Sequence, residues 1–240
     1  MLGLFVTGTG TGVGKSIVAA ALCAALAQQG RDVIASKPLL SGMDDSPAAP
    51  WPHDHELLAL VSDASAEEIA PVRFGPAVSP HLAARLAGQQ LSIEEIAAAV
   101  RKRYADRRSH EVVSPVSDGG GPVVVVEGAG GLLVPIDDDA VNMADLASEL
   151  DLPLVIAGHP GLGTINHVLL TLEAARSRAL QIAGVVLTPW PAEPSQIDAD
   201  NRAFLERHAG VPVHVLGPVD GPDRAALAAA GVAAGLQRLI

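Results

Sequence analysis

The chain has 240 residues, a net charge of −11 and a single cysteine, Cys23. Its acidity argues against nucleic acid or an anionic membrane as partner, and an aromatic content of 2% leaves no stacking platform for single-stranded bases. One cysteine excludes an internal disulfide, and a chain of this length buries roughly 70–75% of its unfolded surface without one.

Met1 leads straight into an apolar run with no basic stretch or cleavage site, so no signal peptide is expected. No run reaches the ~18–20 apolar residues of a membrane span, and a soluble, cytoplasmic protein is expected. Leu2–Thr7 reads as a first strand. Ser16–Gln29 reads as an Ala/Leu-rich helix that Gly30 ends, with Cys23 as a small core residue on it. Asp32–Ser36 is predicted as a strand, Ser41–Pro52 as a polar loop and His53–Val61 as a short helix. Ser92–Arg103 carries a helix signal: Ser92 and Glu95 form a capping box, and Ile93, Ile96, Ala97 and Val100 form an apolar stripe. Ser114–Pro122 reads as a surface loop. Val123–Val126, Leu154–Ala157 and Ile182–Leu187 are apolar runs suited to strands buried on both faces. A helix is expected at about Ile165–Ser177, a last strand at Val213–Leu216, and an Ala-rich helix from about Pro222 to Leu239. This alternation predicts one α/β domain over residues 1–240, a three-layer α/β/α arrangement with a mainly parallel sheet. Ligands of such sheets lie beyond the carboxyl ends of the strands.

The first strand runs into Gly8-Thr9-Gly10-Thr11-Gly12-Val13-Gly14-Lys15-Ser16, and a helix follows. Glycines at alternate positions let backbone N–H groups turn inward around phosphate oxygens, and the helix N-terminus adds its dipole. Lys15 reaches the β- and γ-phosphates of a bound nucleotide, and the Ser16 hydroxyl suits magnesium. The standard spacing puts the first glycine at the position of Thr9, so this is a variant phosphate loop (P-loop) with an intact Gly-Lys-Ser, and it predicts P-loop NTPase-like topology. Lys37 follows the second strand, extended by Pro38, and Glu127 ends the apolar run at Val123 with Gly128-Ala129-Gly130-Gly131 beside it. A carboxylate there is costly unless paired or metal-bound. Gly161-Leu162-Gly163-Thr164-Ile165-Asn166 follows a strand and opens a helix, a second place for an anion. His53, His55, His110 and His159 show no metal spacing.

Five segments together resemble dethiobiotin synthetase: Val6–Ser16, Lys37-Pro38 with Ser41-Gly42, Ser79-Pro80-His81, Val126–Leu132 and Leu162–His167. The resemblance runs to about residue 210. It implies magnesium-dependent ring closure of diaminopelargonate with carbon dioxide (or bicarbonate) and ATP, giving dethiobiotin, ADP and phosphate through a carbamate and a carbamic-phosphoric anhydride. It implies catalytic roles for Thr11, Lys15, Lys37 and Ser41. Nucleotide contacts fall to Gly12, Val13, Gly14, Lys15, Ser16, Glu127, Gly128, Gly130 and Thr188. Diamine contacts fall to Thr11, Lys37, Ser41 and, from the partner subunit of a homodimer, to the segment Gly163, Thr164, Ile165 and Asn166. The metal set is Ser16, Glu127 and Asp54, with Glu56 the alternative to Asp54. The chain departs from the family at Gly12, often acidic there, at Gly161, basic in some relatives, and at Thr188, where relatives carry an Asn. A partition-type or septum-site ATPase switch shares the fold, but its signature lysine position holds Gly10.

Overall fold

The computed structural model describes residues 1–110 and 121–240. Most of the loop expected at Ser114–Pro122 therefore lies outside the described residues. In chain order the elements are β1 (Gly3–Gly8), α1 (Lys15–Gln28), β2 (Val33–Ser36), β3 (Leu39–Leu40), α2 (Asp54–Leu60), α3 (Ala66–Ile69), β4 (Val72–Arg73), α4 (Pro80–Leu86), α5 (Ile93–His110), β5 (Val123–Glu127), α6 (Met143–Leu150), β6 (Leu154–Gly158), α7 (Thr164–Arg176), β7 (Ile182–Leu187), α8 (Gln196–His208), β8 (Val213–Val215) and α9 (Arg224–Ala233).

Six strands form one parallel sheet in the order β2-β5-β1-β6-β7-β8. Period-2 alternation sends successive side chains to opposite faces. Leu4, Val6, Val123, Val125, Val155 and Ala157 enter one core, closed by α1, α2 and α9. Phe5, Val124, Val126, Leu154 and Ile156 enter the other, closed by α5, α6, α7 and α8. The expected three layers are present. Cys23 is fully buried among the alanines of α1, and burial pushes its thiol up to about 12. Small residues permit that packing: a Cβ on Gly231 of α9 would meet the Ala21 carbonyl of α1 at 2.3 Å.

Several elements depart from expectation. The helix expected at Pro222–Leu239 is interrupted: α9 ends at Ala233, and Gly235, at φ +71°, separates it from a 3-10 turn at Leu236–Leu239. The stripe at Ile96, Ala97 and Val100 is buried as predicted, but α5 continues past Arg103 to His110. Of its capping box, the Ser92 half is made: Ser92 Oγ accepts the Glu95 N–H at 3.1 Å, while its hydroxyl donates to Glu94 at 2.7 Å. Helices α3, α4, α6 and α8 were not anticipated, nor was the two-stranded ladder in which Leu39 pairs with Val72 and Leu40 with Arg73. Among the described residues no helix is long and apolar enough to cross a membrane.

The strand order positions the chemistry. Strand β1 lies between β5 and β6, where the chain's winding reverses, which opens a crevice at the carboxyl edge. Ser36 of β2 pairs with Val126 of β5, so Lys37 and Glu127 leave the sheet side by side. Val6 pairs with Glu127, so the phosphate loop begins next to that carboxylate.

Candidate active site

The phosphate loop turns on two left-handed glycines, Gly12 at φ +74° and Gly14 at φ +84°, the latter capping α1. A Cβ on Gly14 would stand 2.7 Å from Thr188 Cγ2, so the end of β7 presses directly on the loop. Gly131 closes the other flank: a Cβ there would meet the Gly8 carbonyl at 3.4 Å and Gly10 at 3.5 Å. Val13 is buried beneath the loop and Thr11 is exposed at its crest. Lys15 is 7% exposed, and its Nζ donates to the Gly10 carbonyl at 3.0 Å. Burial holds its pKa below the ordinary lysine value, against the pull of Glu127.

Four side chains from four elements converge beside it. Lys37 Nζ lies 2.6 Å from Glu127 Oε1 and 2.9 Å from Asp54 Oδ2. Ser16 Oγ donates to the same Glu127 Oε1 at 2.8 Å. Burial by itself would discharge Lys37, but the two carboxylates outweigh it and hold the ammonium charged, above the ordinary lysine range. Burial also raises the Asp54 carboxyl, yet the charge of Lys37 and the hydrogen bond it donates bring it below the usual carboxylate value. Glu56, two residues on, turns away and accepts the His53 N–H at 3.0 Å as part of the α2 cap.

Glu127 Oε2 is buried and has no hydrogen-bond partner among the described residues. An orphaned anionic oxygen is expensive. It lies with the Ser16 hydroxyl and the Asp54 carboxylate at the mouth of a phosphate loop, a hard-oxygen set that suits magnesium. Among the described residues no three His, Cys, Asp or Glu side chains group into a metal cage. Magnesium does not need one, since it is held by one or two carboxylates together with substrate phosphates and water.

These groups open into one cleft of about 640 Å³, whose walls include Thr11, Lys15, Lys37, Ser41, Trp51 and Ser79. Ser41 follows β3, and its hydroxyl donates to the Val78 carbonyl at 2.6 Å, which leaves its lone pairs for an N–H donor. Gly128 is buried: a Cβ would meet Phe5 at 2.9 Å. Gly130 takes φ +64° at the cleft wall. The wall from Ala77 to Pro80 had no expected role; only the Ser79-Pro80-His81 likeness pointed to it. Thr188 is 2% exposed, with its N–H committed to the Gly158 carbonyl at 2.9 Å. The segment from Gly161 to Asn166 follows a different strand, β6, and opens α7. There Gly163, at φ +93°, caps α7, Thr164 is buried, Ile165 is half-buried, Asn166 is exposed and Leu162 is 94% exposed.

A family model described as an AAA domain matches residues 2–221. The ATP-dependent dethiobiotin synthetase BioD of Anaeromyxobacter dehalogenans is 42% identical over 209 residues, 86% of this chain and 85% of that protein. That of Bacillus licheniformis is 38% identical over 89% of this chain and 84% of its own length, and that of Mycolicibacterium vanbaalenii 37% over 87% and 84%. Among solved structures, the MinC:MinD cell division protein complex of Aquifex aeolicus superposes with a TM-score of 0.55 at 12% identity, covering all of this chain and 95% of that one. The signal recognition particle receptor FtsY of Elizabethkingia anophelis reaches 0.50 at 14% identity over 96% of this chain, which spans 65% of that one. These two share the fold alone. The sequence relatives share nearly the whole length at much higher identity, and with them the chain belongs to the ATP-dependent dethiobiotin synthetase family.

Proposed function

We propose that this chain, as a single domain over residues 1–240, closes the cyclic urea of dethiobiotin from diaminopelargonate, carbon dioxide and ATP. The observation that carries the reading is the cleft itself, which joins the phosphate loop to Lys37, Ser41 and the paired carboxylates. One amine is carboxylated to a carbamate, and Lys37 and Thr11 orient it against the γ-phosphate. Lys15 offsets the charge that develops as the phosphoryl group passes to the carbamate. Ser41 accepts an amine N–H, consistent with the direction of its own hydrogen bond. The second amine then attacks the mixed anhydride. Ser16, Asp54 and Glu127 would hold magnesium, which when bound supplies charge neutralisation between phosphates; the orphaned Glu127 oxygen supports that set, and the outward turn of Glu56 supports Asp54 over it. The nucleotide rests on Gly12, Val13, Gly14, Gly128 and Gly130, with its base near Thr188.

We further propose a cytoplasmic homodimer. Closed twofold dimers are the commonest oligomers. An almost fully exposed Leu162 at the tip of a glycine loop suits an interface in which Gly163, Thr164, Ile165 and Asn166 meet the distal carboxylate of the partner's substrate. The deciding experiment measures ADP release with diaminopelargonate and bicarbonate each omitted in turn. Release should require both. Fast ATP hydrolysis unaffected by the diamine would refute the reading.

A further inference from the structure

Ser79 stands at the position preceding α4, with φ −60° and ψ 150°, followed by Pro80 at the first helical position. A serine there ordinarily turns its oxygen onto the N–H of the second or third helical residue. This one makes no such cap. Its Oγ lies 2.9 Å from His81 Nδ1 instead. The other serines that precede a helix, Ser65, Ser92 and Ser195, each make the ordinary bond. The exception is the serine that lines the cleft.

The pair is held firmly. The 74–78 segment is laced to the segment after β3: Gly42 N–H donates to the Pro76 carbonyl at 3.0 Å, Met43 N–H to Phe74 at 3.1 Å and Ser41 Oγ to Val78 at 2.6 Å. The His81 N–H donates to the Pro135 carbonyl, in the loop beyond β5. Ser79 therefore stands beside Ser41 in the same cleft that Lys15 and Lys37 line.

We propose that Ser79 and His81 form the proton acceptor for ring closure, an inference that rests on the function proposed above. When the second amine attacks the carbonyl carbon of the carbamic-phosphoric anhydride, the C–N bond forms and the bond from carbon to the phosphate oxygen breaks. Phosphate leaves with that electron pair. The attacking nitrogen must still shed one proton to become a neutral urea nitrogen. Ser79 Oγ takes it while the serine's own hydroxyl proton passes to Nδ1 of an imidazole protonated at Nε2. The imidazolium then returns its proton to water before the next turnover. Lys37, held charged between Glu127 and Asp54, is a poor acceptor for this proton, Lys15 is assigned to the phosphates, and Ser41 already gives its hydroxyl hydrogen to a carbonyl.

The test measures dethiobiotin formed per ADP released. The wild type should give one for one; wild type that forms no dethiobiotin would sink the proposed function and not this step alone. In His81→Ala, ring closure should slow by about 10²-fold. The anhydride, still made, is then lost to water, so ADP outruns dethiobiotin. Added imidazole should restore part of the coupling. His81→Gln separates relay from scaffold: its side-chain oxygen keeps a hydrogen bond to Ser79 but takes up no proton at neutral pH. It should be uncoupled like the alanine variant, as should Ser79→Ala. Normal coupling in the glutamine variant, or uniform slowing with coupling intact and no response to imidazole, would overturn the relay.

Discussion

Two neighbouring strands end in the same backbone device. After β1, left-handed Gly14 caps α1; after β6, left-handed Gly163 caps α7. Both junctions point free N–H groups beyond the carboxyl edge of the sheet, and the two strands pair directly. Their surroundings differ. The first junction faces Lys15, Lys37, Ser16, Asp54 and Glu127 in a cleft. The second presents Leu162 at 94% exposure. Backbone amides of this kind suit an anion; in the function proposed above, positioned cations and hard oxygens let the first site also transfer one. The proposed division of labour, phosphoryl chemistry at one junction and carboxylate capture at the other, is a statement about side chains.

The largest effects should come from stripping cations from the first junction. Lys15→Ala and Lys37→Ala should each lower kcat/KM by about 10²–10³-fold or more. Their stabilities should differ. Lys15 donates only to a backbone carbonyl, whereas Lys37 neutralises a fully buried Glu127. Losing one partner of such a pair costs about 3–5 kcal/mol, so Lys37→Ala should also melt earlier and Lys15→Ala should not. Thermal unfolding followed by circular dichroism, beside steady-state rates, checks both. A Lys37→Ala enzyme with near-normal turnover would refute its role.

Next in size is the metal requirement. Asp54→Asn and Glu127→Gln should raise the magnesium concentration giving half-maximal rate by at least about tenfold. Glu56→Gln should leave it unchanged, since that carboxylate serves the α2 cap. The reverse pattern would move the ligand two residues along the helix. A smaller effect belongs to the second junction. Leu162→Asp should loosen the dimer and raise KM for the diamine by about tenfold, roughly 1.4 kcal/mol, with KM for ATP unchanged. Light scattering that finds a fully active monomer would remove the second junction from the site.

How much of this was legible in the sequence depended on the physical kind of signal. The layers and strands were readable because short β-branched runs such as Val123–Val126 suit a strand buried on both faces. Lys15, Ser16, Lys37 and Glu127 were readable as strand-end or loop residues, but not their mutual contacts. Those follow from the insertion of β5 between β1 and β2, a non-local fact that no local window holds. The β3–β4 ladder is two residues long on each side, too short for periodicity, and so only the family likeness at Ser79-Pro80-His81 pointed to the wall it braces. The C-terminal helix was overextended because Ala-rich periodicity continues through Gly235, while the chain turns there in a left-handed conformation.

The smallest effect expected is discrimination among nucleotide bases, and it sharpens the contrast between a junction that reads phosphate and the flank that would read a base. The family resemblance puts the base beside Thr188, where an Asn amide would offer a paired donor and acceptor and threonine offers one hydroxyl. The structure removes the alternatives nearby. The Thr188 N–H is committed to Gly158 at 2.9 Å and the Trp190 N–H to Leu216 at 2.7 Å, while Pro189 and Pro191 have none. From residue 188 to 191 no backbone N–H is left for a base edge. The Thr188 methyl is spent against Gly14, tying this flank to the loop's shape and not to a ligand. A pocket with few fixed polar groups separates ligands weakly, because the wrong base leaves little unsatisfied. ATP should therefore support turnover, with CTP, GTP and UTP within about a hundredfold of it in kcat/KM, or roughly 2.7 kcal/mol. The check is to compare the four triphosphates at saturating diamine and bicarbonate. A preference for ATP beyond about a thousandfold, near 4 kcal/mol, would require a base-reading group elsewhere on this flank.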